Sequence, residues 1–95
     1  MAIHLKPDPH FYNSLGVSYG FSGKTKEAQE AFKQAIALDP EFADAYFNLG
    51  RVYWDQKRWS DVEEIWRRGL EKNPRHALLK KWLEALEKTK MFGQK

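Results

Sequence analysis

The pair Leu15-Gly16 returns as Leu49-Gly50, and Leu83 stands a further 34 residues on. Around that pair Tyr12, Tyr19, Ala28, Phe32, Ala35 and Pro40 find counterparts at the same interval in Tyr46, Tyr53, Val62, Trp66, Gly69 and Pro74. The match keeps its register and its chemistry, aromatic over aromatic and small over small. A period of this length means stacked supersecondary units, none of which can bury its apolar face alone. At 95 residues the chain has room for one small domain with a modest core.

Within each unit the pattern is helical. Asp8 and Pro9 open a first helix, since proline at the first helical position gives up no hydrogen bond. Tyr12, Leu15, Gly16 and Tyr19 then share one face of a 3.6-residue spiral. That helix is expected to stop near Ser22-Gly23. Thr25 is placed to cap a second, running to about Leu38 with Ala28, Phe32, Ala35 and Ile36 inward, and Asp39-Pro40 breaks it. A third helix is expected over 42–55 and a fourth over 59–72. Ser60 and Glu63 have the spacing of a capping box at the head of the fourth, and Asn73-Pro74 ends it. A fifth is expected over 76–90.

Gly16 and Gly50 fall in mid-helix, where glycine costs about 0.8–1.0 kcal/mol relative to alanine. Close crossing by another helix accounts for them, with Phe32 and Trp66 filling the wedge. The fifth helix breaks the pattern. It carries Lys80, Leu83, Glu84 and Glu87 where its predecessors carry aromatic, Leu, Gly and Tyr, while Leu79, Trp82, Leu83 and Leu86 turn toward the fourth helix. Charge on the outer face suits a terminal cap, which keeps a solenoid soluble.

The order aromatic-x-x-Leu-Gly-x-x-Tyr, small-x-x-x-aromatic, Pro resembles the tetratricopeptide repeat over residues 9–90. The resemblance implies an all-α, right-handed solenoid of antiparallel helix pairs: one repeat at 9–42, a second at 43–76, a capping helix at 77–90 and a C-terminal tail at 91–95. Residues 1–8 remain. Ala2-Ile3-His4-Leu5-Lys6-Pro7 reads like Ala35-Ile36-Ala37-Leu38-Asp39-Pro40, so this stretch is expected to be the tail of an upstream repeat or else an N-terminal arm.

Little in the sequence points to catalysis. Gly23-Lys24-Thr25 imitates the end of a phosphate-binding loop, but the pattern needs glycine where Ser18 stands and a strand where an amphipathic helix is expected. His4, His10 and His76 form no pair at metal-ligand spacing and sit beside no carboxylate cluster. Each reads as a surface or boundary residue. No serine or cysteine nucleophile accompanies a histidine, and the chain has no cysteine. The reading is therefore of a non-enzyme without catalytic residues, metal or cofactor. No apolar run is long enough to span a membrane, and the composition suits a soluble chain, with the cytoplasm favoured. Charge is uneven: residues 1–66 carry 7 basic and 10 acidic groups, residues 67–95 carry 9 and 3. Such a basic C-terminal third could meet an acidic partner, a membrane surface or nucleic acid, although a solvated helix face is the simpler reading and nucleic acid is not favoured.

What remains is a groove. At 100° per residue Asn13, Val17 and Phe21 point off the packing face of the first helix. Asp44, Phe47, Asn48, Arg51, Trp54 and Asp55 do so on the third, and Lys81 and Trp82 on the fifth. The resemblance makes this the concave surface, which receives an extended peptide or partner helix. Asn13, Val17, Phe47, Asn48, Arg51, Trp54 and Lys81 are the candidate groove residues. Phe47 and Trp54 are read as large aromatics on a face the fold does not need to bury, and with Arg51 they make a candidate hot spot; the alternative of equal weight is that each lies flat on its neighbours or is covered by an upstream repeat. Family members that clamp the carboxylate tail of heat-shock chaperones use Lys and Asn on the first helix, Asn on the third, and Lys with Arg on the fifth. Here only Asn48 matches; Asn13, Val17, Leu78 and Trp82 stand at the other positions, so that clamp is not expected. The expected partner is a protein or peptide. The rival expectation is self-association through an exposed N-terminal edge.

Overall fold

Asp8 lies in extended backbone at the head of α1 (Pro9–Phe21), and its carboxylate accepts the His10 N–H at 2.8 Å. The computed structural model describes the backbone of residues 8–93 and the side chains of residues 8–89. The stretch at 1–7 in which an echo of an earlier repeat was read lies outside the described residues. Four more helices follow: α2 (Thr25–Leu38), α3 (Ala43–Asp55), α4 (Trp59–Lys72) and α5 (Ala77–Gly93).

Both α-turn-α corners use one device. Gly23 turns left-handed at φ 77°, which lets the Lys24 N–H reach the Tyr19 carbonyl at 2.9 Å. This wrap-back satisfies carbonyls that the helix end would otherwise orphan. One repeat on, Lys57 takes the same conformation at φ 59° and the Arg58 N–H reaches Tyr53 at 2.9 Å. For a residue with a Cβ that conformation costs roughly 1–2 kcal/mol.

Two sequence expectations fail at these corners. Thr25 does not cap α2, and the Ser60–Glu63 capping box does not form. The wrap-back turn delivers the chain straight into the next helix, so Lys24 and Arg58 occupy the cap positions and neither makes a side-chain cap bond. Ser60 is left inside the first turn. Arg58 instead donates to Asp61 at 2.8 Å. The fifth helix also runs three residues past the expected Lys90, because no proline or glycine interrupts the chain before Gly93.

α1 packs on α2 and α3 on α4, and α2 with α3 and α4 with α5 join these pairs into an elongated body of 61 × 29 × 16 Å. The glycines permit the crossings. A Cβ on Gly16 would stand 2.5 Å from the Phe32 ring, and one on Gly50 would collide with the Trp66 indole. Gly69 makes a third close approach that the pattern showed only as a small residue: its Cβ would meet Tyr46 at 2.8 Å and Leu79 at 2.9 Å. Ala28, Ala35, Val62 and Trp66 have no accessible surface. Trp66 also donates its Nε1–H to the Phe47 carbonyl at 3.1 Å, so its polar edge is satisfied inside the core. Leu79, Leu83 and Leu86 of α5 are buried, while Lys80, Glu84 and Glu87 face out. Arg67 of α4 bonds Glu87 at 3.2 Å and ties the cap down.

Candidate functional site

The expected groove divides into two valleys, one open and one filled. The open valley lies between α1 and α3. Gly16, Phe32 and Val52 line it together with Val17, Gly20, Phe21, Asn48, Arg51 and Asp55, around a cleft of about 140 Å³. Gly20 leaves open space beside its backbone. Phe21 is 90% exposed and Val17 37%. Asn48 Nδ2–H donates to Asn13 Oδ1 at 2.9 Å, a side-chain bridge from α3 to α1. That bridge holds the two walls of the valley together. A cleft this size is well below the roughly 300–1,000 Å³ of small-molecule and cofactor sites. It is large enough for one side chain.

The filled valley lies between α3 and α5, and here the sequence reading needs correction. Phe47 is not free on the concave face but 8% exposed, a member of the core. Its ring stacks on Trp66 at 6.0 Å and meets Trp82 at 6.1 Å and His76 at 6.3 Å. The helical wheel judged Phe47 against its own partner helix alone, and α5 arrives from the other side. Trp54 is half-buried by the same cluster. It stacks on Trp66 at 5.8 Å and stands edge-on to Trp59 at 5.1 Å and Trp82 at 5.8 Å. Edge-to-face and offset pairs at these spacings are each worth about 0.5–1.5 kcal/mol beyond the area they bury. The cluster is therefore principally a seam that fixes α5 to the repeat. Trp59 and Trp82 keep outer edges in solvent.

Of the seven candidate groove residues, Val17, Asn48 and Arg51 line the open cleft and Asn13 bridges to it. Arg51 also lies over the Phe47 ring at 6.0 Å. Lys81 is exposed on α5 and lines neither of the two cavities described here. Phe21 and Asp55, which the wheel put on the face without singling out, belong to the cleft.

His76 was read as a boundary residue and proves to be a bridge. The Leu79 N–H donates to its Nδ1 at 3.2 Å, so His76 caps α5 with its own side chain. With Nδ1 accepting, Nε2 carries the proton and donates to Asp44 Oδ1 at 2.6 Å. The position, two residues after Asn73-Pro74 and just before a helical run, was the signal. Of the basic C-terminal third, Arg67 and Arg68 are engaged, while Lys72, Arg75, Lys80, Lys81 and Lys88 are exposed. Arg67 pairs with Glu63 at 3.8 Å and with Glu87, and Arg68 lies over the Tyr46 ring at 5.8 Å. Burial pushes the Tyr46 phenol above its ordinary pKa; Arg68 opposes this, and Glu41 and Asp39 add to it. Among the described residues no group of three His, Cys, Asp or Glu side chains is placed to hold a metal ion. No helix of the described residues is long and apolar enough to cross a membrane.

Paired helices, a 34-residue translation and small residues at each crossing define an α-helical repeat protein. Comparison with known proteins gives the family. Residues 22–57 match a TPR-repeat family model and residues 43–76 match a second, described as tetratricopeptide repeat. The chain belongs to the tetratricopeptide-repeat family. It is 32% identical over 85 residues to small glutamine-rich tetratricopeptide repeat-containing protein 2 of Mycosarcoma maydis, covering 88% of this chain and 24% of that one. It thus spans about a quarter of that relative's length. Among solved structures it resembles the crystal structure of MamA protein, with a TM-score of 0.79, 24% identity and coverage of 87% of this chain and 45% of the other. It also resembles the first TPR of Spaghetti (RPAP3), solved bound to HSP90 peptide SRMEEVD. There the TM-score is 0.77 at 18% identity, covering 86% of this chain and 65% of that one.

Proposed function

We propose that this chain is a protein-interaction module that receives an extended peptide along the α1/α3 valley, seating one apolar side chain of the ligand in the cleft beside Val17 and Phe21. The observation that carries the reading is the cleft itself. It has an apolar floor, a polar bridge at Asn13–Asn48 that holds its walls, and opposite charges in Arg51 and Asp55 on its lining. Apolar contact supplies affinity and the polar groups fix direction. Trp54 and Lys81 continue the face toward α5, where Lys81 offers a solvated rim charge that affects association rate more than strength. Phe47 supports the face from beneath. The structural relative bound to an HSP90 peptide supports peptide capture as a use of this fold. The residues of a carboxylate clamp are not those found here, so the ligand is read as a segment led by an apolar side chain.

The test is to pan a peptide library on the full chain and rank the recovered peptides by fluorescence polarisation. Val17→Asp and Arg51→Glu should each weaken binding by about 1–2 kcal/mol, as the minority of interface residues that matter individually do. Glu64→Ala, exposed on α4 away from the cleft, should leave it unchanged. Circular dichroism confirms that each variant is folded. Undiminished binding in both cleft variants would reject the valley as the site.

A further inference from the structure

The opposite edge of the molecule carries a second surface that the groove does not use. On the outer side of α1 and α2, Tyr12, Leu15, Tyr19 and Ala31 line an open depression of about 550 Å³, with Lys26, Glu27, Glu30 and Gln34 at its margin. Tyr12, Leu15 and Tyr19 are only half-buried. The internal repeat supplies the comparison. One repeat on, the counterparts of Tyr12, Leu15 and Tyr19 are Tyr46, Leu49 and Tyr53, with 1%, 2% and 8% of their surface exposed. There α2 packs on α3 and takes part in covering them. The depression therefore has the chemistry of a helix-covered face, and nothing in the single chain covers it among the described residues.

We infer that this edge pairs with the same edge of a second copy of the chain, α1 and α2 of each lying across α1 and α2 of the other. Two observations select that occupant. The margin is self-complementary: Lys26 lies beside Glu27 and Glu30, so a two-fold axis can set the lysine of each copy against carboxylates of the other. The described outer face of α5 is the poorer mate. The outer face of α5 presents Lys80, Glu84 and Glu87, with Glu87 already held by Arg67. Head-to-tail stacking would press those charges onto tyrosines and leucine and strand them without water. Of these two self-associations, the edge-to-edge one buries apolar surface on both sides, and it closes as a two-fold pair rather than growing into a filament.

Sedimentation equilibrium of the full chain, over a concentration series, tests this. The expected result is a reversible monomer–dimer equilibrium with no higher species. Leu15→Glu should leave a monomer, with circular dichroism showing that its helices remain. Lys26→Glu is the milder probe and acts on an exposed charge. It should weaken dimerisation about tenfold, because the two-fold doubles each altered pair. Lys26→Glu combined with Glu30→Lys should restore it, which a purely structural role for Lys26 would not predict. A monomer at every concentration would overturn the inference and reassign the edge to a helix of another polypeptide. So would a dimer indifferent to Leu15→Glu and Lys26→Glu, or an open series of oligomers.

Discussion

Gly50→Ala adds one carbon where the structure has no room for it. The new Cβ would stand against the indole of Trp66, a ring with no accessible surface whose Nε1–H is committed to the Phe47 carbonyl at 3.1 Å. An indole is rigid, so relief requires that the ring or α4 move. Overpacking of this kind costs about 1–3 kcal/mol, and a buried hydrogen bond lost with it about 1–3 more. Alanine's better helix propensity returns about 1 kcal/mol. The net expectation is a destabilisation of about 1–5 kcal/mol, at about 4–8 °C in melting temperature per kcal/mol for a domain of this size. The control is Gly20→Ala in α1, where a Cβ meets nothing within 4 Å. That change should stabilise by about 0.5–1 kcal/mol. Thermal and urea unfolding followed by circular dichroism give both values. A further check is Trp66→Leu in each background: its cost should be smaller when residue 50 is alanine, a coupling of about 1 kcal/mol or more between residues in contact. A Gly50→Ala protein that melts with the wild type would refute the close-crossing argument.

Three further outcomes are expected. Lys57→Gly should stabilise by about 0.5–1 kcal/mol, because it removes the left-handed strain at φ 59° and loses part of that gain to unfolded-state entropy; urea titration reads it. His76→Ala should cost about 1–2 kcal/mol and speed amide exchange at the start of α5, since the Leu79 N–H loses its acceptor and Asp44 its donor; hydrogen exchange separates this local effect from global loss. The folded Tyr46 phenol titrates above its unfolded value, so the protonated form is favoured by folding. Its contribution is complete below pH about 10 and is lost as pH rises through the folded pKa. Tyr46→Phe should remove that alkaline decline and cost about 0.5–1.5 kcal/mol at neutral pH for the bond to the Pro40 carbonyl.

The parts of the fold that depend on a helix and its sequence partner were legible. Tyr12, Leu15, Gly16 and Tyr19 announce a face, and Phe32 and Trp66 announce what fills it. The caps were less legible, because Thr25 and Ser60 have cap chemistry while the backbone turn before each leaves no cap position for them. The groove was legible only where one valley is concerned. Asn13, Val17, Asn48 and Arg51 meet across α1 and α3 as the wheel placed them. Phe47 was misplaced because its burial depends on Trp82, contributed by a helix 30 residues later whose approach no periodicity within α3 encodes. Contacts between elements that do not share a turn are the ones a one-dimensional pattern conceals.

The clustering of Trp54, Trp59, Trp66 and Trp82 also has an optical consequence. All four tryptophans stand in the second repeat and α5, and none precedes residue 54. Tryptophan emission, excited to the red of tyrosine absorption, therefore reports on the C-terminal half of the molecule, with the indoles close enough to share excitation. The first repeat is silent in that channel and is seen only by the backbone's ultraviolet ellipticity. If α1 and α2 loosen before α3 and α4, the ellipticity will begin to fall while the fluorescence holds. The gap between the two curves would measure how tightly one repeat is coupled to the next, without introducing a label.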